Sequence, residues 1–544
     1  MLKRSGFIGI FLIFFLSFAT GQKLVYLEHS ETLSFEEERI PDAQILRGNV
    51  RFRHEDMLMF CDSAYFFEKS NSLTAFSNVR FEQGDTLHGY GDVLYYDGNT
   101  RLARLRRDVR LIHRETVLTT DSMNYDRAAD KAYYFTGGVI RDSLNSLESV
   151  WGEYCPKTYT ALFSRQVHLT NPSFVIDTDT LKYNTQTHVA DLPGASEIVY
   201  EDSTLIHSHK GLYNTETDDC MLLDRSVIVH NDSVSLTGDT IFYNKEAGYG
   251  RMSKHIEVCD SSMSVTLYGN YGEVWEKRRH GYVTDSALVE EWSGEEHTWL
   301  HADTLLFDEA DCPDSTCTEQ TYKLLRAYGH VRTWSEEYQS ASDSMVYTTR
   351  DSTLTMYGSP VCWNGDNQAS ADLITVYFKN GKMDYVHGKG SILGTQPVMA
   401  ERYNQITGAE MTAHVTDGDI KVVNVTGSTE TAFFPKEQDG SLTGINKTQS
   451  EKVQIFLKDR QIDHILFTTA TSGTLYPLEQ IEKAATYLSG FFRSDDERPQ
   501  SVEDLFRHPE RSKQAAAGGG TQTEKEDKSP AETETQTIKT KKLK

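Results

Sequence analysis

Acidic side chains recur at one place in a repeated pattern, and their spacing is the feature of this chain that could do chemistry. These aspartates are Asp62, Asp92, Asp121, Asp179, Asp239, Asp303, Asp343 and Asp372. Stacked acids bind calcium in some parallel β-helices, where a GGxGxD-type nonapeptide accompanies them. That nonapeptide is absent from this sequence. We therefore interpret the aspartates as acceptors for backbone N–H groups at chain corners, and we expect no metal and no cofactor.

Other reactive residues do not form a catalytic pattern. The sequence contains no GxSxG, HExxH or Walker-type loop, and His207 and His209 have no further ligand at metal-binding spacing. Of the 7 cysteines, only Cys312 and Cys317 lie close enough in sequence to suggest a small disulfide-closed loop. The formal net charge of -25 argues against nucleic acid as a partner. We predict that the protein is not an enzyme.

The aspartates belong to a repeated unit of short strands, of which residues 221–249, MLLDRSVIVHNDSVSLTGDTIFYNKEAGY, are one copy. Apolar residues alternate with a period of two in this unit, which predicts extended strands: Met221, Leu223, Val227 and Val229. Ile241 and Tyr243 follow in a phase shifted by one residue across Gly238 and Asp239. Such a shift predicts a bulge or corner at the aspartate.

The unit recurs about eleven times between residues 45 and 382. A strand that opens on valine marks many copies, mostly 28 to 31 residues apart or a multiple of that: Val50, Val79, Val109, Val139, Val167, Val227, Val331 and Val361. Stacked repeats share one continuous core, so we predict an elongated all-β array rather than several domains. If each unit adds one strand to each sheet at ~4.8 Å, the interior is roughly 50 Å long.

The segments outside the array have different compositions. Residues 1–21 begin with Lys3 and Arg4 and continue with a short apolar run, which predicts a cleaved signal peptide. Residues 22–382 form the repeat array, and 383–470 form degenerate β-repeats that cap it. Residues 471–511 form a short helical segment, in which Pro477, Leu478, Ile481, Ala484, Ala485 and Leu488 predict an amphipathic helix. Residues 512–544 are predicted to be disordered.

Residues 48–97, GNVRFRHEDMLMFCDSAYFFEKSNSLTAFSNVRFEQGDTLHGYGDVLYYD, show the strand starts and strand ends of the unit most clearly. In these units the sequence resembles the OstA-like family, which includes LptA and the soluble domain of the outer-membrane lipopolysaccharide assembly protein. The resemblance covers residues 45–382 well and 383–470 poorly. It implies a β-jelly-roll or β-taco, in which two sheets form a V around an apolar interior.

The resemblance also implies a function. It predicts a periplasmic protein, with the outer membrane as a further site of association, that carries or bridges lipopolysaccharide towards that membrane through an apolar groove. Its partners would be lipopolysaccharide, other components of lipopolysaccharide transport and further copies of the chain joined end to end.

The groove residues follow from the inward positions of the array. We expect acyl chains to contact Val50, Phe52, Phe66, Val79, Phe81, Leu94, Tyr96, Val109, Leu111, Met123, Tyr125, Val167, Leu169, Leu181, Tyr183, Val227, Val229, Ile241 and Tyr243. A closed dry core formed by the same residues is the alternative, because burying a side chain of this size is worth ~1.5 to 3 kcal/mol in either case.

Two other classes of function remain open at this point. An exported carbohydrate-active β-helix would also show short repeats, and it would cleave polysaccharides. A purely structural repeat protein of the cell envelope would retain no lipid through purification. Mass spectrometry of bound lipid separates this last class from a lipid carrier.

Overall fold

The computed structural model describes residues 24–36, 38–201, 203–293, 296–312, 320–416, 418–437 and 440–509. The predicted signal peptide and the predicted disordered tail lie outside the described residues. Within them the chain is antiparallel β-structure with a few single helical turns. The predicted all-β fold class is therefore confirmed.

The strands follow one another closely along the chain. They are β1 Tyr26–His29, β2 Thr32–Phe35, β3 Gln44–His54, β4 Met57–Phe67, β5 Ser72–Gln83, β6 Leu87–Asp97, β7 Leu102–His113, β8 Thr116–Asp126, β9 Lys131–Tyr134, β10 Gly138–Arg141, β11 Ser146–Ser149, β12 Trp151–Cys155, β13 Thr160–Thr170, β14 Phe174–Asn184, β15 Val189–Leu192, β16 Ser196–Tyr200, β17 Thr204–Ser208, β18 Lys210–Asn214, β19 Cys220–His230, β20 Val234–Asn244, β21 Tyr249–Asp260, β22 Val265–Trp275, β23 His280–Thr284, β24 Leu288–Ser293, β25 Glu296–His301, β26 Thr304–Asp311, β27 Thr321–Trp334, β28 Tyr338–Thr348, β29 Thr353–Tyr357, β30 Val361–Asn364, β31 Asn367–Ser370, β32 Leu373–Lys379, β33 Lys382–Met399, β34 Arg402–Thr416, β35 Asp419–Phe433, β36 Gly444–Lys458, β37 Gln461–Thr468 and β38 Ser472–Pro477. The helical turns are 3-10 helices at Glu276–Arg278, Leu478–Gln480, Lys483–Thr486 and Glu503–Phe506.

Each long strand crosses two walls because its pairing is interrupted near its centre. Residues 50–54 of β3 pair with 57–61 of β4 and begin wall A, whereas residues 44–47 pair with 63–66 and begin wall B. Where the interruption is complete, the halves are separate strands, such as β9 in wall B and β10 in wall A. Both strands of a unit are divided in this way, so each unit adds two strands to each wall. The expected growth of ~4.8 Å per unit is therefore wrong, and each wall lengthens by ~9.6 Å instead.

A pair of residues in the left-handed conformation forms the bend in most alternate strands. In β3 this corner pair is Gly48 and Asn49, with φ angles of 82° and 43°. The corner pairs further along are Ser77/Asn78, Arg107/Asp108, Arg165/Gln166, Asp224/Arg225, Lys254/His255, Asp285/Ser286, Gly329/His330, Gly358/Ser359, Gly390/Ser391 and Gly427/Ser428. Two consecutive residues of positive φ reverse the pleat, so inward side chains continue on the other wall. The left-handed conformation costs ~1–2 kcal/mol at a residue other than glycine.

The repeated aspartates lie opposite these corner pairs, and four of them, Asp62, Asp239, Asp303 and Asp372, bond to a corner side chain. Asn78 Nδ2 donates to Asp62 Oδ2 at 2.7 Å. Nδ1 of His255 lies 2.9 Å from Asp239 Oδ2, and Nδ1 of His330 lies 2.8 Å from Asp303 Oδ2. At these acids the donor is a side chain of the corner pair and not the expected backbone N–H. The bonds offset part of the strain in the left-handed residues, so these acids act in the fold of the corner.

The contact between corner glycine and acid predicts a stability difference between two glycine substitutions. Gly390 and Gly381 both have a φ of 76° or slightly less, but a Cβ atom on Gly390 would lie 2.3 Å from Asp372 Oδ2, whereas Gly381 has nothing within 4 Å. Gly381→Ala is expected to cost ~1–2 kcal/mol through backbone strain alone. Gly390→Ala is expected to cost a further ~1–3 kcal/mol through overpacking. Hydrogen exchange of β32 and β33 measures both, and equal costs would contradict the role of the corner acid.

The C-terminal residues 478–509, here called the strap, run along the outer face of wall A. Gln405 donates to Thr486 O at 3.1 Å and accepts from Leu488 N at 2.8 Å. Gln368 brackets Phe492 and Ser494 in the same way, at 3.3 and 2.9 Å. The single amphipathic helix predicted for this segment is wrong, because its helical content is limited to short 3-10 turns. The buried glutamines bond to strap backbone groups that a continuous helix would use internally.

Candidate functional site

Most residues of the predicted groove pack against one another in a closed interior. Sixteen are at most 5% exposed and belong to one apolar cluster: Val50, Phe52, Phe66, Val79, Phe81, Leu94, Tyr96, Val109, Leu111, Met123, Tyr125, Val167, Leu169, Leu181, Tyr183 and Ile241. Tyr243 is partly buried at the margin of this cluster. Contact of these residues with acyl chains stays a prediction.

Val227 and Val229 do not share the inward positions of the others. After the corner pair of β19, the residues that pair across the interior face are Ser226 with Gly238 and Ile228 with Leu236. Ser226 is fully buried, and Ile228 packs against the apolar cluster. Because side chains alternate along a strand, Val227 and Val229 lie on the outer face. In β19 the corner pair Asp224/Arg225 lies one residue further from the valine than in β3, so the phase after the corner was assigned one residue too late.

Tyrosines at a spacing of 29 residues close the open edge of the V in the N-terminal half: Tyr96, Tyr125, Tyr154 and Tyr183. They lie near the tips of wall B, and their hydroxyls bond to polar side chains near the tips of wall A. The oxygen to nitrogen distance is 2.5 Å from Tyr96 to His54 Nδ1 and 2.8 Å from Tyr154 to His113 Nδ1. Burial raises the pKa of Tyr96, so its hydroxyl stays neutral. We call these contacts the tyrosine seam. The spacing of 29 residues is visible in the sequence, but the partners of the hydroxyl groups are not.

The buried guanidinium of Arg127 strengthens the seam. It donates to Tyr96 OH at 2.9 Å and to Asp56 Oδ1 at 2.6 Å, while its side chain is only 3% exposed. Hydrogen bonds that involve a charged group are stronger than neutral ones. The walls are therefore tied together here across the mouth of the V as well as at the corner.

An apolar cavity of about 370 Å³ opens between the walls in the C-terminal part of the array. Apolar side chains of wall B, most of them large, line one side of it: Met345, Leu354, Met356, Val376, Phe378, Val386, Met411, Ala413, Ile455 and Leu457. Small side chains of wall A line the other side: Thr333, Ser340, Cys362, Ala369, Gly394 and Thr431. Binding sites for small molecules span ~300–1,000 Å³, so the cavity has the size and the apolar lining of such a site.

The small residues of wall A explain why the walls do not fill the space between them. The inward position of wall A that carries Phe52 and Phe81 near the N-terminus carries Thr333 and Gly394 near the C-terminus. The hydroxyls on this side already have partners: Thr333 Oγ1 and Ser340 Oγ lie 2.7 Å apart. The lining therefore presents mostly satisfied polar groups and methyl groups, which suits an apolar ligand. In the sequence, this difference appears as smaller side chains at the inward positions of wall A after residue 330.

Polar contacts cross the mouth of the V at the cavity and form a latch. The Tyr338 hydroxyl donates to Gly418 O, and Arg460 forms an ion pair with Glu337. Arg460 Nε also lies 3.3 Å from Asp419 Oδ1. The side chains of Arg460 and Glu337 are 40% and 45% exposed. Ion pairs this exposed contribute ~0–1 kcal/mol, so the latch resists opening far less than the tyrosine seam does.

The two ends of the array carry exposed apolar side chains. Leu24, Tyr26, Leu33 and Phe35 are 46–66% exposed at the N-terminal end. Leu466 and Leu475 are 48% and 58% exposed on the strands of the C-terminal end. Within the described residues, β37 and β38 each pair with β36 on one side. Each end thus offers a strand edge with apolar side chains to a further strand.

None of the cysteines that the structure describes is fully exposed. Cys312 is disulfide-bonded, and Cys317 lies outside the described residues. Cys61, Cys155, Cys220, Cys259 and Cys362 are free thiols. Burial raises the pKa of Cys362, which lines the cavity, to about 12. This thiol is therefore protonated and chemically inert at neutral pH.

The described residues form an extended array of two β-walls with an apolar interior and a cavity. A family model described as OstA-like protein matches residues 22–179. The family predicted from the sequence is confirmed over that part of the chain, which ends before the cavity begins. OstA-like proteins are a binding and transport family of the cell envelope. No curated protein matches the chain significantly. Among the described residues, none of the helices has the length and hydropathy to cross a membrane.

Proposed function

We propose that this protein binds acyl chains of lipopolysaccharide in the C-terminal cavity and carries or bridges the lipid towards the outer membrane. The observation that supports the proposal most directly is the cavity of about 370 Å³, which apolar side chains of wall B and many small side chains of wall A line. An acyl chain gains ~0.8 kcal/mol for each methylene that it buries in such a space.

The position of the latch supports entry from the side. Arg460 and Tyr338 line the cavity and also cross the mouth of the V. If they part, the acyl chains enter between the walls while the sugar head group stays in water. Arg460 and Lys421 lie near the mouth and supply positive charge for the phosphates of a lipopolysaccharide head group.

The two ends of the array support bridging. The interior continues to a strand edge at each end, and each edge carries exposed apolar side chains such as Phe35 and Leu475. Joining the C-terminal edge of one copy to the N-terminal edge of the next would extend both walls by backbone pairing. Other lipopolysaccharide-transport proteins with the same two walls are partners of the same kind.

Photo-crosslinking in cells tests the proposal at three sets of positions. A photoreactive residue at Met356 or Ile465, which line the cavity, is expected to trap lipopolysaccharide. The same residue at the neighbouring outer positions Thr355 and His464 is the matched control and is expected to trap none. Equal trapping at cavity and control positions, or trapping at neither, would contradict the proposal.

The third set decides how far the groove extends towards the N-terminus. The inward positions are Phe81, Tyr125, Tyr183 and Tyr243, with Arg80, Asn124, Lys182 and Phe242 as the neighbouring outer controls. Trapping at the inward positions would show that the walls part along the tyrosine seam in cells. Trapping that is confined to the cavity would show that the N-terminal interior serves as a closed core.

A further inference from the structure

Two histidines and an aspartate converge where the end of the strap meets wall A. His301 ends β25, Asp303 is the acid at the next corner, and His508 lies in the strap. One ligand atom from each of these side chains lies within 4.8 Å of the others. Imidazole nitrogen and carboxylate oxygen are the ligands that bind zinc-type divalent metals in proteins.

His301 is an unpartnered buried ligand. The residue is 3% exposed, and its Nδ1 lies 2.8 Å from Ala287 O. Because a carbonyl oxygen only accepts, Nδ1 carries the proton and Nε2 presents its lone pair. Within the described part of the chain, Nε2 is buried and has no hydrogen-bond partner. Metal-binding histidines typically donate their second N–H to a backbone carbonyl in this way.

The surroundings orient the other ligands and shield the centre. Nδ1 of His330 lies 2.8 Å from Asp303 Oδ2 and fixes the carboxylate. The ring of His508 lies 4.2 Å from the ring of His330, and the Phe506 ring lies 4.5 Å from the ring of His301. Phe506 therefore covers the buried histidine, while Asp303 and His508 remain accessible to an ion from solvent.

The local charge also admits a cation. Arg332 is the nearby positive group, but its guanidinium faces the strap. It donates to Glu497 O at 2.9 Å and to Arg507 O at 2.8 Å, and it lies 3.4 Å from Asp504 Oδ2. Asp504 also pairs with Arg507 at 2.8 Å, so both arginines near the site are directed to this carboxylate, and the charge of Asp303 is left to face the ion.

We propose that His301 Nε2, the Asp303 carboxylate and the His508 imidazole bind one divalent metal ion of the zinc type. His330 orients Asp303, and water completes a tetrahedral set. Ligands at ~2.0–2.1 Å from a tetrahedral zinc ion lie roughly 3.4 Å apart, so modest rotations of the exposed His508 and Asp303 side chains close the site.

Metal binding at this site would fasten the strap to wall A. His508 lies beyond the glutamine brackets at Gln405 and Gln368 and beyond the Arg332 contacts. The strap covers the outer face of the strands whose inner face lines the cavity. The ion would thus attach the end of the strap to the outer face of the cavity wall. This inference does not depend on which ligand the cavity binds.

Metal titration of the full mature chain tests the site. The protein is purified through a tag without histidine, stripped with a chelator and titrated with Zn²⁺ by calorimetry and with Co²⁺ by absorption. We expect one ion per chain and the visible spectrum of tetrahedral Co²⁺. His508→Ala and Asp303→Asn are expected to weaken binding at least ~100-fold, more than the 10–100-fold that an outer-shell change costs. Hydrogen exchange across the strap is expected to slow when Zn²⁺ is bound.

The control is His464→Ala, because His464 forms an exposed pair with Asp463 at 2.8 Å outside any such cluster. His508→Ala changes an exposed strap side chain, and Asp303→Asn keeps an oxygen that accepts a hydrogen bond from His330, so a folding defect is not expected to mask the result. His464→Ala should bind like the unmodified protein. If His508→Ala binds the metal ion as tightly as the unmodified protein does, the proposal is overturned.

Discussion

Ala413→Phe is expected to abolish tight binding of an acyl-chain ligand. Ala413 pairs with Val386 and Val423 in wall B, and all three line the cavity. A benzyl group at this position occupies space that the ligand needs. Each displaced methylene costs ~0.8 kcal/mol, so the loss of four weakens binding by ~3 kcal/mol, or more than ~100-fold. Displacement of a fluorescent fatty-acyl probe and mass spectrometry of retained lipid measure the effect.

Ala400→Phe is the matched control, because it adds the same group at an exposed turn residue outside the cavity. It should leave probe binding unchanged. Since Ala413→Phe fills empty space, the free energy of unfolding is expected to change little or to rise. Unaltered binding in Ala413→Phe, with a stable fold, would show that the cavity is not the lipid site.

Phe81→Ala is expected to cause a large loss of stability in the N-terminal half of the array. Phe81 is fully buried and stacks on Tyr125 with ring centroids 5.7 Å apart. Its ring also covers Gly89, where a Cβ atom would lie 2.0 Å from it. Removing a phenylalanine packed on all sides costs ~3–5 kcal/mol through lost burial and the cavity that remains. Hydrogen exchange of β4 to β8 measures it, because long arrays need not unfold in one step.

Phe378→Ala provides the comparison within the cavity wall. Phe378 is partly buried and already faces empty space, so its removal leaves little new cavity and should cost much less. If both variants lose the same stability, the contrast between a dry N-terminal core and an open C-terminal interior is wrong. Lipid binding should survive Phe81→Ala and decrease in Phe378→Ala.

The structure also changes how the charged residues are interpreted. The sequence predicted no metal, because the donors at His301, Asp303 and His508 are separated by 2 and 205 residues and form no motif. The strap brings His508 back to wall A, and sequence spacing does not show this return. The same acid, Asp303, bonds to His330 of the corner pair, so one side chain serves the corner and the proposed site.

The sequence by itself determined the all-β class, the repeat and most of the inward positions. These follow from local chemistry: alternation with a period of two shows which side chains turn inward, and Val50, Phe81 and Tyr125 are buried as that alternation requires. It did not show that in β19 one additional residue, Ser226, separates the left-handed pair from the valine, and so Val227 and Val229 were placed on the wrong face.

Only the tertiary structure decided where the interior is filled and where it is open. Whether Phe52 or Thr333 closes the space depends on the side chain that faces it from the other wall, and that pairing is set by bends and registers far along the chain. The strap conformation was decided in the same way, because buried glutamines of wall A bond to its backbone and replace helical hydrogen bonds. Local propensity is weak against such contacts, so the tertiary partner determines the outcome.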